Sequence, residues 1–136
     1  MNGDAGSGDG AASRVVVAGG VALALALAVP ALAAVVKGTP GPDRLVGTER
    51  SDLLVGNKGR DVLIGKGRGD TLRAGRGADR LRPGPGEDVA KAGRGPDLVK
   101  ARDGEPDLID CGPGDDTAIV DEIEDGVLDC EEVIGP

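Results

Sequence analysis

The chain contains no phenylalanine, tyrosine, tryptophan or histidine among its 136 residues. Without aromatic rings, it has no platform on which nucleic-acid bases or sugars could stack, so we expect no sequence-specific binding of nucleic acid and no small-molecule substrate. Without histidine, it lacks the usual general base, and its serine, threonine and cysteine side chains have no imidazole partner. We therefore expect that the protein is not an enzyme.

The first 33 residues have the features of an export signal. Arg14 precedes an apolar run over residues 15–29, and the small-residue box Ala31-Leu32-Ala33 follows. This order predicts cleavage after Ala33, which leaves residues 34–37 as a short linker. Because no charge occurs over residues 15–36, an uncleaved membrane anchor is the alternative. Both interpretations predict a secreted or extracellular location for the rest of the chain.

The two cysteines, Cys111 and Cys130, agree with that location. An even number of cysteines in an exported chain favours a disulfide. This bond would close a loop of about 20 residues and stabilise the fold by roughly 3 kcal/mol.

From Gly38 onward, the sequence repeats every nine residues. The first seven units are GTPGPDRLV, GTERSDLLV, GNKGRDVLI, GKGRGDTLR, AGRGADRLR, PGPGEDVAK and AGRGPDLVK. Each unit has an aspartate at its sixth position and an aliphatic residue two places later. One additional residue near Glu105 shifts the next aspartate to Asp107, and Asp116 follows nine residues later. We assign residues 38–110 to the repeats, and residues 111–136 to a last repeat and an acidic C-terminal cap.

These units resemble the G-G-x-G-x-D-x-U-x nonapeptide of the RTX, or hemolysin-type, calcium-binding proteins. The resemblance covers roughly residues 38–120. It implies an all-β fold, a right-handed parallel β-roll in which two nonapeptides form one coil. It also implies that calcium ions lie between the turns of successive coils.

If two repeats form one coil, residues 18 apart lie above one another, and the aspartates form two columns. The first column contains Asp43, Asp61, Asp79 and Asp97, and the second contains Asp52, Asp70 and Asp88. Two carboxylates about 5 Å apart repel by roughly 3 kcal/mol at an effective dielectric constant of 20. A cation between them would remove that repulsion, and Ca²⁺ accepts six to eight oxygen ligands.

The fourth position of the repeat distinguishes the two columns. In the first column it is always glycine: Gly41, Gly59, Gly77 and Gly95. Glycine here permits a turn with positive φ that directs backbone carbonyls towards the ion. In the second column, Arg50 and Arg68 occupy the equivalent place. We therefore predict that the aspartates and glycines of the first column are the principal calcium ligands, and that the second column is secondary.

Charge is divided along the chain. Residues 34–100 have 14 Lys or Arg against 9 Asp or Glu, a net charge of +5, whereas residues 101–136 have a net charge of −12. The ninth position of the later repeats is basic, at Arg73, Arg82, Lys91 and Lys100. These residues either bind an anionic cell-surface polymer or form a solvated face. The sequence thus predicts a secreted calcium-binding protein, with an adhesion or cell-wall module and a calcium-independent solenoid as the alternatives.

Overall fold

The computed structural model describes residues 33–121 and 126–136, together with the backbone of two earlier strands. Those strands, β1 (Arg14–Ala18) and β2 (Val21–Leu25), form an antiparallel pair. The rest of the expected export signal, up to residue 32, lies outside the described residues. Among the residues described, no helix is both long and apolar enough to span a membrane.

Within residues 33–121 and 126–136, twelve short strands follow, and they alternate between two parallel sheets. The first sheet contains β3 (Val35–Lys37), β5 (Leu53–Val55), β7 (Thr71–Arg76), β9 (Val89–Arg94), β11 (Leu108–Asp110) and β13 (Gly126–Leu128). The second sheet contains β4 (Arg44–Val46), β6 (Val62–Ile64), β8 (Arg80–Arg82), β10 (Leu98–Ala101), β12 (Thr117–Val120) and β14 (Glu132–Ile134). Within each sheet the strands follow chain order, so the fold is a parallel β-solenoid of about 5 turns.

The register of the sheets confirms that two repeats form one coil. Leu45 pairs with Leu63, 18 residues later, and Leu63 pairs with Leu81. After the additional residue near Glu105 the spacing becomes 19, as in the pairing of Val99 with Ala118. The regular nine-residue spacing therefore places each repeat directly above the second repeat before it.

The core is a narrow column between the two sheets. Because side chains alternate along a strand, the central residue of each three-residue strand from β3 to β11 points inward and is buried. The fully buried hydrophobic residues include Leu45, Leu54, Leu63, Leu72, Leu81, Ala90, Val99, Ile109 and Ala118. A core that receives so few side chains from each coil is stable only when the coils stack.

Residues 34–37 belong to the first coil, so their assignment as a linker is wrong. Val36 is fully buried and pairs with Leu54 of β5. Ala34 is also buried. The nonapeptide pattern misses this strand because residues 34–37 have no aspartate or glycine turn before them.

The C-terminal cap continues both sheets by one strand each. Strand β13 pairs with β11, and β14 pairs with β12. A disulfide joins Cys111 to Cys130, with the two Cα atoms 5.1 Å apart, which confirms the predicted bond. The disulfide fixes the returning segment to the end of the repeats.

Candidate metal centre

The repeat aspartates lie at the turn immediately before each strand, and all of them are buried. Their exposed fractions are between 0% and 4%. They are Asp43, Asp52, Asp61, Asp70, Asp79, Asp88, Asp97, Asp107 and Asp116. Such burial is unusual for an acid and requires compensating partners.

In the repeats after Asp43, one oxygen of the aspartate carboxylate joins neighbouring coils. The backbone N–H of Asp61, for example, donates to Oδ1 of Asp79 at 2.7 Å, and the N–H of Asp79 donates to Oδ1 of Asp97 at 2.8 Å. The same bond recurs in the second column, where the N–H of Asp52 donates to Oδ1 of Asp70. The expected columns are thus present, and we call this series of bonds the aspartate ladder.

The aspartate ladder has a direction, and its two ends have different partners. Asp43 has no repeat before it, and its carboxylate accepts from the N–H and the hydroxyl of Thr39 in its own turn. At the other end, the N–H of Asp116 donates to Oε2 of Glu131 in the cap at 2.9 Å. The cap therefore satisfies a donor for which no further repeat supplies an acceptor.

The second carboxylate oxygen, Oδ2, does not accept the backbone N–H bonds that form the aspartate ladder. In six aspartates it is buried and has no hydrogen-bond donor; these are Asp61, Asp70, Asp79, Asp88, Asp97 and Asp116. A buried acceptor without a donor costs roughly 1–3 kcal/mol, and more when it is charged. Six such atoms in two regular columns indicate positions for a cation.

The pKa values of these carboxyls show the same imbalance. Burial raises the pKa of Asp61, Asp70, Asp88 and Asp97 to about 7, and that of Asp79 to about 6, although the hydrogen bonds of the aspartate ladder oppose this increase. Burial also raises the pKa of Asp116. Neighbouring carboxylates contribute, since Asp79 and Asp43 both raise the pKa of Asp61. For these described groups, no lysine or arginine is among the causes that lower the pKa.

Glycine at the first position of the early repeats leaves space beside these oxygens. A Cβ atom added at Gly56 would lie closer than 3.0 Å to Oδ2 of Asp61 and to the carbonyl oxygen of Ala74. At Gly65 the corresponding atoms are Oδ2 of Asp70 and the carbonyl oxygen of Pro83. At Asp61 and Asp70, the free carboxylate oxygen therefore lies near a backbone carbonyl oxygen of the next coil. This set of oxygens suits a hard divalent cation such as Ca²⁺.

The predicted turn glycines of the first column have the expected conformation with one exception. Gly59, Gly77 and Gly95 have φ values of 105°, 131° and 113°. Gly41 does not lie in the positive-φ region, so the expectation for this residue is wrong. Its N–H donates to Oγ1 of Thr39, and this different bond closes the first turn.

In the second column, the backbone imposes the turn on an arginine. Arg68 has a φ of 64°, in the left-handed region that disfavours side chains other than glycine. Arg50 avoids this region, because its N–H donates to Oγ1 of Thr48 in the same way as in the first repeat. Gly86 occupies the same position in the next repeat of the second column and has a positive φ of 119°. The second column therefore has the same architecture as the first, with strain at one turn.

Three carboxylates that the sequence analysis did not combine lie together in the second column. Single ligand oxygens of Asp88, Asp103 and Asp107 all lie within 4.8 Å of one another. Asp107 is the repeat aspartate that follows the additional residue, and it is ten residues after Asp97 where nine would be regular. Asp103 lies in the turn that contains the additional residue. The one-residue shift was the only signal in the sequence for this arrangement.

The basic residues of the ninth position do not form one surface. Arg73 pairs with Lys91 in the first sheet, whereas Arg82 and Lys100 lie on adjacent strands of the second sheet. Consecutive repeats contribute to different sheets, so the four side chains form two pairs on opposite faces. Binding of an anionic polymer to these residues stays a prediction.

The repeats themselves match a known family of sequences. The model of the RTX calcium-binding nonapeptide repeat matches four overlapping times, at residues 37–67, 56–90, 64–99 and 83–118. The chain belongs to the RTX calcium-binding nonapeptide repeat family. Membership implies that this β-roll binds calcium. Comparisons with curated proteins and with solved structures find no match.

The residues present fit the calcium ion that the RTX family implies. Their buried Oδ2 atoms have no hydrogen-bond donors. Beside Gly56 and Gly65 of the early repeats, these oxygens lie near backbone carbonyl oxygens. Asp61, Asp79 and Asp97 would hold calcium in the first column. Asp70 and Asp88 would do so in the second. Whether each one is a ligand stays a prediction.

Proposed function

We propose that the chain is a secreted calcium-binding protein whose β-roll is stabilised by calcium between stacked turns. The observation that carries this proposal is the row of buried Oδ2 atoms without hydrogen-bond donors. The features of an export signal in residues 1–33 and the disulfide support secretion, because disulfides persist in oxidising compartments. The proposed role is binding without catalysis, and the expectation that the chain is not an enzyme stays a prediction.

The electrostatics of the columns explain why calcium would stabilise the fold. Without a cation, the ionised forms of Asp61 and Asp97 are disfavoured by burial and by their neighbours in the column. A divalent ion that contacts Oδ2 would neutralise the charge and supply the missing partner. Calcium binds only to the stacked coils, because the two sets of oxygens come from different repeats. Binding free energy therefore adds to the free energy of unfolding.

We propose that the first column binds calcium more tightly than the regular part of the second. From Gly59 onward its turns have glycine at the positive-φ position, whereas the second column has Arg68 there. The arginine adds strain and brings a positive charge to the turn. We expect affinities for the repeat sites of about 10⁻⁴–10⁻³ M, as in other extracellular calcium modules.

Asp61→Asn tests this function because it separates the two roles of the carboxylate. An asparagine oxygen can still accept the N–H of Asp43, which now donates to Oδ1 at 2.9 Å, but the charge is lost. In chelator we expect the variant to be more stable than the parent chain by about 1–3 kcal/mol, because a buried charge has been removed. In saturating calcium we expect it to be less stable, because a ligand has been removed.

The measurement is thermal unfolding of the oxidised full chain by circular dichroism, in chelator and in millimolar calcium. Asp115→Asn is the control, since it removes the same charge from an exposed turn. Stabilisation by Asp61→Asn in both media would favour the calcium-independent solenoid. If calcium does not shift the midpoint of the parent chain, the proposed function is wrong.

A further inference from the structure

The turn between β10 and β11 departs from the repeat. It contains the additional residue, so that Asp88 and Asp107 of the second column are 19 residues apart, and the N–H of Asp88 donates to Oδ1 of Asp107. The aspartate ladder thus continues across the irregularity. The longer turn carries two further acids, Asp103 and Glu105.

Hydrogen bonds hold this turn against the coil before it. The N–H of Glu105 donates to Oδ1 of Asp103 at 2.9 Å, which closes the turn on itself. The N–H of Gly86 donates to Oε1 of Glu105, also at 2.9 Å, and this bond joins the turn to the preceding coil. The two bonds place the Asp103 carboxylate beside that of Asp88.

The resulting group has the dimensions of a calcium site. Ligand oxygens of Asp88, Asp103 and Asp107 lie within 4.8 Å of one another. Two oxygens that each lie 2.3–2.6 Å from one Ca²⁺ ion are at most about 5 Å apart, so all three oxygens could contact a single ion. Among the residues that the structure describes, this is the one such group of three potential metal ligands.

A second observation points to a ligand. Asp88 is only 2% exposed, and its Oδ2 has no hydrogen-bond donor. Its Oδ1 already accepts the N–H of Asp70 at 2.6 Å, so the aspartate ladder cannot supply a partner for the other oxygen. The buried side of the group therefore contains an acceptor that lacks the positive partner its charge requires.

We propose that Asp88, Asp103 and Asp107 hold one calcium ion in a site that the additional residue creates, and that this ion binds before those of the regular repeats. The proposal rests on the proposed function of the chain and adds a particular site to it. The charged ligands at the regular positions are only the carboxylates that succeed one another in a column. Here a third carboxylate comes from the turn, and calcium affinity increases with the number of charged ligands.

Asp103→Asn in the oxidised full chain tests the site. The side-chain oxygen of asparagine can still accept the N–H of Glu105, so the turn keeps its closing bond while it loses the charge. Calcium binding is measured by isothermal titration calorimetry, because the chain has no aromatic residue to report binding by fluorescence. We expect the tightest phase of the isotherm to weaken by about tenfold or more, with the later phases unchanged.

Two further measurements make the outcome specific. Native mass spectrometry at calcium concentrations below saturation should show one ion fewer on Asp103→Asn than on the parent chain. In amide NMR spectra of the parent chain, the first equivalents of calcium should shift the signals of Asp88 and Gly104 before those of Asp61. Asp115→Asn is the control, because it removes an acid from the turn before β12, outside the group of three.

The possible failures differ from one another. If the parent chain binds calcium but Asp103→Asn and Asp115→Asn both bind it equally well, the separate site does not exist, whereas the repeat sites remain. An equal loss of affinity in both variants would show an effect of net charge alone, and it would also overturn the site. If the parent chain binds no calcium, both this inference and the proposed function are wrong.

Discussion

In most of the buried repeat aspartates, the two carboxylate oxygens have different roles. Oδ1 accepts a backbone N–H from the preceding coil, and this bond contributes to stacking whether or not calcium is present. Oδ2 has no donor in six of the aspartates and is the atom available to a cation. One residue type at one position of the repeat therefore serves both the fold and the proposed calcium site.

The raised pKa values predict how stability depends on pH without calcium. The pKa of Asp61, like that of Asp97, rises from 3.8 to about 7 on burial, so the folded chain binds these protons more tightly than the unfolded chain does. The resulting stabilisation is complete below about pH 4 and is lost as the pH rises towards 7. In chelator, the thermal midpoint should therefore be higher at pH 5 than at pH 8.

The same experiment in saturating calcium should weaken or reverse this trend, because calcium competes with protons for the carboxylates. The measurement is thermal unfolding by circular dichroism across this pH range in both media. A midpoint in chelator that rises between pH 5 and pH 8 would contradict the prediction.

Arg68 provides a second prediction for a single residue. Its φ of 64° is unfavourable for a side chain but not for glycine. We expect Arg68→Gly to stabilise the folded chain by about 1 kcal/mol. The readout is urea unfolding in chelator.

Arg50→Gly is the control, since Arg50 occupies the equivalent position of the preceding coil and has no positive φ. There glycine only increases the entropy of the unfolded chain, so we expect no gain or a loss of roughly 0.5–1 kcal/mol. Equal effects of the two substitutions would mean that backbone strain at Arg68 is not the cause.

Among the structural elements, the cap formed by β13 and β14 ends the aspartate ladder. Glu131 accepts the N–H of Asp116 at 2.9 Å, in the place that a repeat aspartate would have. We expect Glu131→Ala to destabilise the fold by about 1 kcal/mol, because the buried N–H of Asp116 loses its acceptor. Glu131→Gln keeps an acceptor and should have a smaller effect.

Hydrogen exchange at the amide of Asp116 measures this effect directly. The amide should exchange faster in Glu131→Ala than in the parent chain. It should change little in Glu132→Ala, which removes an exposed acid from the adjacent position. Unchanged exchange in Glu131→Ala would exclude a capping role for Glu131, even if the overall stability decreased.

For the molecule as a whole, the nine-residue spacing of Asp43 and its successors predicted the regular strands and the inward aliphatic residues. The coil of two repeats and the two columns were predicted from the resemblance to the RTX nonapeptide, and the disulfide was predicted from the two cysteines. The spacing did not predict β3, because this strand lacks the nonapeptide pattern. It forms because Val36 pairs with Leu54 of β5, which comes later in the chain. Strand pairing, and not a local motif, defines that element.

The sequence predicted less about how the carboxylate oxygens of the site are oriented. Nothing in the spacing shows that Oδ1 is used in stacking, since that depends on the direction in which the carboxylate faces the next coil. The meeting of Asp103 with Asp88 depends on the path of one irregular turn. The sequence therefore predicted the columns of repeat aspartates, but not their burial or the arrangement of their oxygens. Their role as calcium ligands stays a prediction.

The alternation of strands between two sheets also determines how genes for such a chain can change in length. A duplication of 18 residues would add one strand to each sheet and leave every later residue on its original face. A duplication of one nonapeptide would keep the fold but transfer all later residues to the other sheet. With one copy inserted after Arg73, for example, Arg82 would lie beside Arg73 in place of Ile64. Evolution by single repeats would therefore rearrange the surface of this protein, whereas evolution by pairs would only extend it.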